Sequence, residues 1–535
     1  MEILYSLIHS LTPNETQLVK KFLSCFASRE GEENTLSLKL FDYLQSRSEL
    51  PEAETCCIYI YGTPQKAETF VVLKHRLKEK ILDLLLTDIS DDKQKDLDEA
   101  DYAIVKINKK SAQFRQLYFS KKKLPLLPYM LDEIILLAKE YEEYSILVEH
   151  LKLKKTTINW KKGKKEFEQI NKEMEKYLEF NRMMNKAEHC YHELKLLSDY
   201  TSKPDDKKLN TFFAIATAEL DGYYEQTKSA YIKYYHKFLE LGFYQHRNNY
   251  SKARSVCLEL LDVVMENKSV YRRQRLGVVY DNLSRCEFYL KDYTQAAKDA
   301  REAQKYFNAG SENYCIALEQ EFYALFAMEK YEDAITMAEK MISSATRKEL
   351  GEFRDAKYHY LLANALFKKE RFREALNLLS QERELSADKA GWEIGRRTLK
   401  IMTLVEMNQL DEASLAVYSL KKFFSRTKAE APISARDKII RNLLLMAERK
   451  GFGFNLLNGG TDKYMEKLGA GSSEFEGNSK SKMAAHSQLK TPDSELKWEP
   501  FTHELFPFHE WFASKMKKPI PAPSPSKGKK KVVFQ

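Results

Sequence analysis

His189-Cys190-Tyr191-His192 is the one run with metal-ligand side chains at helical spacing, His189 and His192 being three apart and so on one helix face. A zinc site needs four ligands, or three and a water. No second Cys/His pair completes this one, so no metal is expected. The nucleotide and hydrolase signatures are missing as well. Gly163-Lys164 lacks the upstream glycines of a phosphate loop, and neither Gly-x-Ser-x-Gly nor a dinucleotide glycine fingerprint occurs. His503-Glu504 is followed by Pro507 where a zinc protease helix needs a second histidine. No residue is nominated as catalytic, no cofactor is expected, and the chain reads as a non-enzyme.

Two basic stretches carry a different chemistry. Lys152, Lys154, Lys155, Lys161, Lys162, Lys164 and Lys165 surround Trp160, and such a mixture of cations and one aromatic can track a phosphate backbone. Glu166 and Glu168 offset the charge, as in an ordinary loop between helices. The helix expected from Pro64 to Leu86 carries Lys74, His75, Arg76, Lys78 and Lys80, which suits either a DNA-reading helix or the outer face of a bundle. These stretches support one alternative function, a nucleic-acid-binding regulator with a repeat-type sensor.

The elements that would position such groups are helices. Of 535 residues, 43% are hydrophobic and 31% charged, and 87 basic against 78 acidic residues leave a modest net charge of +9. That balance describes a solvated surface over a packed core. No proline lies between Asp205 and Ala431, while seven of 14 prolines and eight of 18 glycines follow Lys450. Proline costs a helix interior about 3 kcal/mol, so the proline-free stretch favours stacked helices. The seven cysteines form no C-x-x-C pair, which fits free thiols in a reducing compartment. Met1 to Leu11 has no basic start or long apolar core. No run approaches the ~20 apolar residues of a membrane span. A cytoplasmic location is expected.

Residues 226–450 repeat. Tyr293-x-x-Ala296-x-x-x-Ala300-x-x-Ala303 puts an aromatic and three small residues on one helix face. The pattern returns from Tyr250 with Ala253, from Tyr331 with Ala334, from Phe372 with Ala375 and from Leu410 with Ala413, at steps of 43, 38, 41 and 38 residues. Each copy follows another amphipathic helix, so the unit is a helical hairpin that needs neighbours to bury its apolar face. Gly310, Gly351 and Gly391 fall after the second helix of successive copies, 41 and 40 residues apart, where left-handed helix caps are expected.

These copies resemble tetratricopeptide repeats (TPR). The second-helix tyrosines and alanines carry the resemblance, with the short preceding turns and Leu283, Leu362 and Leu366 of the first helices. The Leu-Gly pair typical of that family is missing, and the spacing exceeds the family's usual period. The resemblance implies an all-α, right-handed α-α superhelix (a TPR-like solenoid) whose first helices line a partner-binding groove. Asp281, Arg285, Tyr323, Asn364 and Lys368 would face that groove. Tyr360 stands where a carboxylate clamp places a lysine, so a terminal carboxylate is not the expected ligand.

Four regions follow: an N-terminal helical unit over 1–90, opened by the helix start Thr12-Pro13-Asn14-Glu15; long helical hairpins over 91–225; the repeats over 226–450; and a flexible tail over 451–535. The tail holds an aromatic island, Trp498, Phe501, Phe506, Phe508, Trp511 and Phe512, expected to dock on the solenoid in cis or on a second copy. The function expected is that of an interaction scaffold holding a protein or peptide partner.

Overall fold

The computed structural model describes residues 1–27, 32–87, 97–120, 125–157, 163–199, 206–343, 347–381, 391–427, 433–457, 460–473, 496, 498 and 500–517. Among them every regular element is helical and no strand occurs. The chain forms two compact units, one of Met1–His236 with Val263–Arg272, the other of Lys237–Asp262 with Arg273–Gln535.

The first unit opens with α1 (Glu2–Ser10), α2 (Pro13–Ala27), α3 (Glu32–Gln45), α4 (Ala53–Tyr61) and α5 (Ala67–Thr87). The helix start read at Thr12 is a reciprocal capping box: the Thr12 amide donates to Glu15 Oε2 at 2.8 Å, and the Glu15 amide to Thr12 Oγ1 at 3.3 Å. Leu40, Phe41, Leu44 and Leu77 are wholly buried between these helices. The unit continues with α6 (Glu99–Ser120), α7 (Leu126–Glu140), α8 (Tyr144–Thr157), α9 (Lys164–Asp199) and α10 (Asp206–Thr227). Ile107, Phe114, Ile134 and Leu147 centre a second core there. The unit boundary falls inside α11 (Ala230–His246).

The second unit is an array of hairpins. After α12 (Tyr250–Glu266) come α13 (Arg273–Tyr289) with α14 (Tyr293–Tyr306), α15 (Glu312–Ala327) with α16 (Tyr331–Ser343), α17 (Arg347–Lys368) with α18 (Phe372–Ser380), and α19 (Trp392–Glu406) with α20 (Leu410–Thr427). Then follow α21 (Ala435–Arg449), α22 (Gly460–Ser473) and α23 (Phe508–Lys517). The two last helices lie inside the stretch expected to be a tail. Residues 474–495 and 518–535, with the proline-rich and lysine-rich ends of the chain, lie outside the described residues.

The repeat has a physical basis at each hairpin. Ala253, Ala296, Ala334, Ala375 and Ala413 are all wholly buried, so a neighbouring helix rests on their methyl groups. In three hairpins the aromatic that opens the second helix packs on one at the end of the first: Tyr293 on Phe288, Tyr331 on Phe326 and Phe372 on Phe367, with ring centroids 5.0, 5.3 and 5.5 Å apart.

Left-handed caps are expected at glycines past the second helices, but the recurring left-handed residues sit in the turns between these rings instead. The left-handed residue of each hairpin is Lys291, Glu329, Glu370 or Asn408, with φ of 67°, 59°, 59° and 57°. The next amide reaches back over the turn, Asp292 to the Glu287 carbonyl, Lys330 to Leu325, Arg371 to Leu366 and Gln409 to Leu404, at 2.9–3.0 Å. These are Schellman bonds, and they offset the cost of a Cβ in the left-handed region. Of the three glycines, only Gly310 takes a left-handed φ, at 82°. Gly351 lies within α17, and Gly391 is the N-cap of α19 at φ −85°. The same turn recurs at Asn248 before α12 and, in the first unit, at Glu142 before α8. There Leu147 takes the alanine's place.

Candidate functional site

The first helices of the four hairpins, α13, α15, α17 and α19, and then α21, form a face on which the chain's own residues 496, 498 and 500–512 lie. Phe501 enters a slot made by Phe288, Tyr289 and Tyr323, with ring centroids at 4.5, 5.5 and 4.6 Å. The Arg285 guanidinium stands 5.9 Å from its centroid. Phe506 enters a second slot against Phe326 and Phe367 at 6.4 and 5.8 Å, with the Lys368 ammonium 4.7 Å from its ring. Both slots therefore pair an aromatic floor with a cation. Phe501 itself has φ 62°, a strained setting for a bulky side chain.

Between the slots the segment is held by polar groups. The Tyr360 hydroxyl donates to the His503 carbonyl. Burial lifts the Tyr360 phenol far above its ordinary range, so it stays a donor. Gly395 on α19 makes room for this approach. A Cβ added there would lie 2.7 Å from the His503 carbonyl oxygen and 2.7 Å from the Tyr360 hydroxyl.

Arg436 on α21 reads the carboxylate of Glu504 as a two-pronged fork, Nε to Oε2 at 2.6 Å and Nη2 to Oε1 at 2.7 Å. Both side chains are nearly removed from water, at 7% and 3% exposure. Arg436 Nη1 also donates to the Leu496 carbonyl at 2.9 Å. Nη2 lies 3.1 Å from His509 Nδ1. Burial, then the adjacent Arg436 charge, lowers the His509 imidazole to about 4, which leaves it neutral and able to accept that bond. Glu504 further accepts the Phe508 amide at 2.6 Å, at the N-terminus of α23 where negative charge is favoured. His503 Nε2 lies 2.9 Å from Asp437 Oδ1. Trp511 Nε1 and Lys515 Nζ both donate to Glu406, at 2.7 and 2.5 Å.

Of the five residues expected to face a groove, Arg285, Tyr323 and Lys368 meet this segment. Asn364 is wholly buried on α17, where its Nδ2 donates to the Tyr360 carbonyl at 2.8 Å and its Oδ1 has no hydrogen-bond partner among the described residues. Asp281 is partly buried on α13, its Oδ1 also without a hydrogen-bond partner there. Withdrawal from water pushes its carboxyl up to about 6. Sequence reasoning missed Arg436, Glu406, Gly395 and the role of Glu504. No periodicity marks a pair 68 positions apart.

The other candidates are dispersed. His189 faces Glu193 at 3.5 Å while Cys190 is buried. Among the described residues no group of three His, Cys, Asp or Glu side chains is placed to hold a metal. Lys154 pairs with Asp132 and Lys155 bonds Asn171, while Trp160, Lys161 and Lys162 lie outside the described residues. On α5, Lys74 covers Phe70 and Lys78 pairs with Glu79. No described helix is long and apolar enough to cross a membrane. The arrangement on the second unit can hold a chain in an extended path.

The stacked hairpins make the second unit a helical-repeat array. No family model and no curated protein matches it. Among solved structures it is similar to the apo form of RapI, at 14% identity and a TM-score of 0.39, over 62% of this chain and 86% of that one. A signal transduction ATPase with numerous domains (STAND) from Pyrococcus horikoshii, which has a tetratricopeptide repeat sensor, matches at 12% identity and a TM-score of 0.28. That match covers 86% of this chain and 63% of the STAND protein. At these scores neither likeness carries an argument about function.

Proposed function

We propose that the second unit is the peptide-holding module of a non-catalytic interaction scaffold. One observation carries this reading: the face built by α13, α15, α17, α19 and α21 holds an extended segment through two aromatic slots and a buried arginine fork. Stacked hairpins present such a face along their length, and many modest contacts then give affinity without chemistry.

The test is a chain ending at residue 495, checked for a helical spectrum and a cooperative melt, titrated with a fluorescent peptide of residues 496–517. Saturable binding that survives nuclease treatment is expected. A folded truncated chain that ignores the peptide contradicts the reading, and a gel shift with nucleic acid in its place favours the regulator.

A further inference from the structure

Residues 501–508 touch the repeat face in a way that differs from the hairpin cores. The ion pairs between hairpins keep a half-exposed arginine, as in Arg254–Glu287 and Arg301–Glu321, whereas the segment adds Arg436–Glu504, with both partners buried, to the rings of Phe506, Phe508, Trp511 and Phe512 in the same hydrophobic core. A buried ion pair roughly breaks even against its loss of water, because both groups are well solvated once separated. The ion pair thus adds specificity with little net attachment, and the buried rings carry the affinity. The left-handed Phe501 adds to this, since its strain is relieved when the segment leaves. The two slots and the fork also define what else fits. Arg285 and Lys368 stand over the slots and Arg436 holds the carboxylate between them, so these three positions are cationic over an aromatic floor, while Asp437 and Glu406 meet His503, Trp511 and Lys515.

We infer that residues 501–508 are a built-in competitor at a site for an external acidic-aromatic peptide, one with two phenylalanines five positions apart and a carboxylate between them for Arg436. This rests on the reading of the second unit as a peptide holder. A covalently attached occupant acts at an effective concentration up to the millimolar range. The intact chain therefore binds outside peptides weakly, and loosening its own segment strengthens that binding by the fraction of site set free.

The experiment uses the full-length chain and two labelled peptides, one with the sequence of residues 501–511 and one with Gln in the place of Glu504. Phe506→Ala in the chain's own segment leaves the groove untouched and is expected to tighten binding of the first peptide at least tenfold over wild type. The Gln peptide is expected to bind the same variant at least tenfold more weakly. Phe501→Ala serves as a second opening variant if Phe506→Ala lowers the melting temperature. Gly395→Ala in the groove wall is expected to abolish binding of both peptides. Equal affinity for the Glu and Gln peptides would overturn the acidic-aromatic assignment while leaving the peptide-holding face intact. No tightening in either opening variant, with the truncated chain still binding residues 496–517, would make the segment a fixed part of the fold. Failure of the truncated chain as well would remove the underlying reading.

Discussion

Arg436 and Glu504 form the contact on which the docked segment turns. Breaking one partner of a buried ion pair nominally costs about 3–5 kcal/mol, because the other charge stays buried. Here the segment can leave and let water reach Arg436, so the loss appears as undocking. In a cycle of Arg436→Gln, Glu504→Gln and the double variant, each single change should expose Trp498 and Trp511 to a quencher. The double variant should add little, a coupling on the order of 2 kcal/mol. Additive effects would show that the fork does not hold the segment. Asp281 makes a separate prediction. Its carboxyl is raised to about 6, chiefly by burial, so the folded state binds more protons than the unfolded one between pH 4 and 6. Stability from this group is present at low pH and is lost as pH rises through 6. Asp281→Asn should therefore gain on wild type by roughly 2 kcal/mol between pH 4 and 7 in urea melts. A constant difference across that range would contradict the assignment. Asp281 and Tyr323 could be placed on the first helices from spacing alone. Arg436 could not, because nothing in its local pattern separates a groove arginine from a solvated one.

The hairpins were the most readable part of the chain. A close helix approach requires a small residue at a fixed place, and that requirement is local enough to survive as Ala253, Ala296, Ala334, Ala375 and Ala413. Ala334→Leu should overpack α16 against its neighbours and cost about 1–3 kcal/mol in chemical denaturation. The short turns were placed as well, but their left-handed residues were not. The left-handed position falls on lysine, glutamate and asparagine, whose cost the Schellman bonds offset, so a rule built on glycine looked past the second helices. Glu329→Gly should accordingly stabilise the protein by about 0.5–1 kcal/mol. Glu339→Gly, exposed within α16, should destabilise it by roughly 0.5 kcal/mol. Loss of stability in both would mean the φ of Glu329 carries no strain. The turn at Glu142 escaped notice because Leu147 replaces the alanine that marked the other copies.

Over the molecule as a whole, the C-terminal segment returns to distant parts of the chain, and Tyr360 bonds a carbonyl 143 positions away. The density of aromatics from Trp498 to Phe512 announced that this stretch needed cover, since exposed rings of that number associate. Its path was not announced, because it depends on Gly395 giving up a side chain to let the backbone pass. The same glycine supplies the most direct measurement. Alanine at 395 favours α19 by about 1 kcal/mol in helix propensity, yet its methyl group occupies the space of the His503 carbonyl. Hydrogen exchange on full-length wild type and Gly395→Ala should show amides 504–512 protected in the first and at least tenfold less protected in the second, with α17, α19 and α21 unchanged. Equal protection in the two proteins, or none in wild type, would contradict the claim that the repeat face holds this segment.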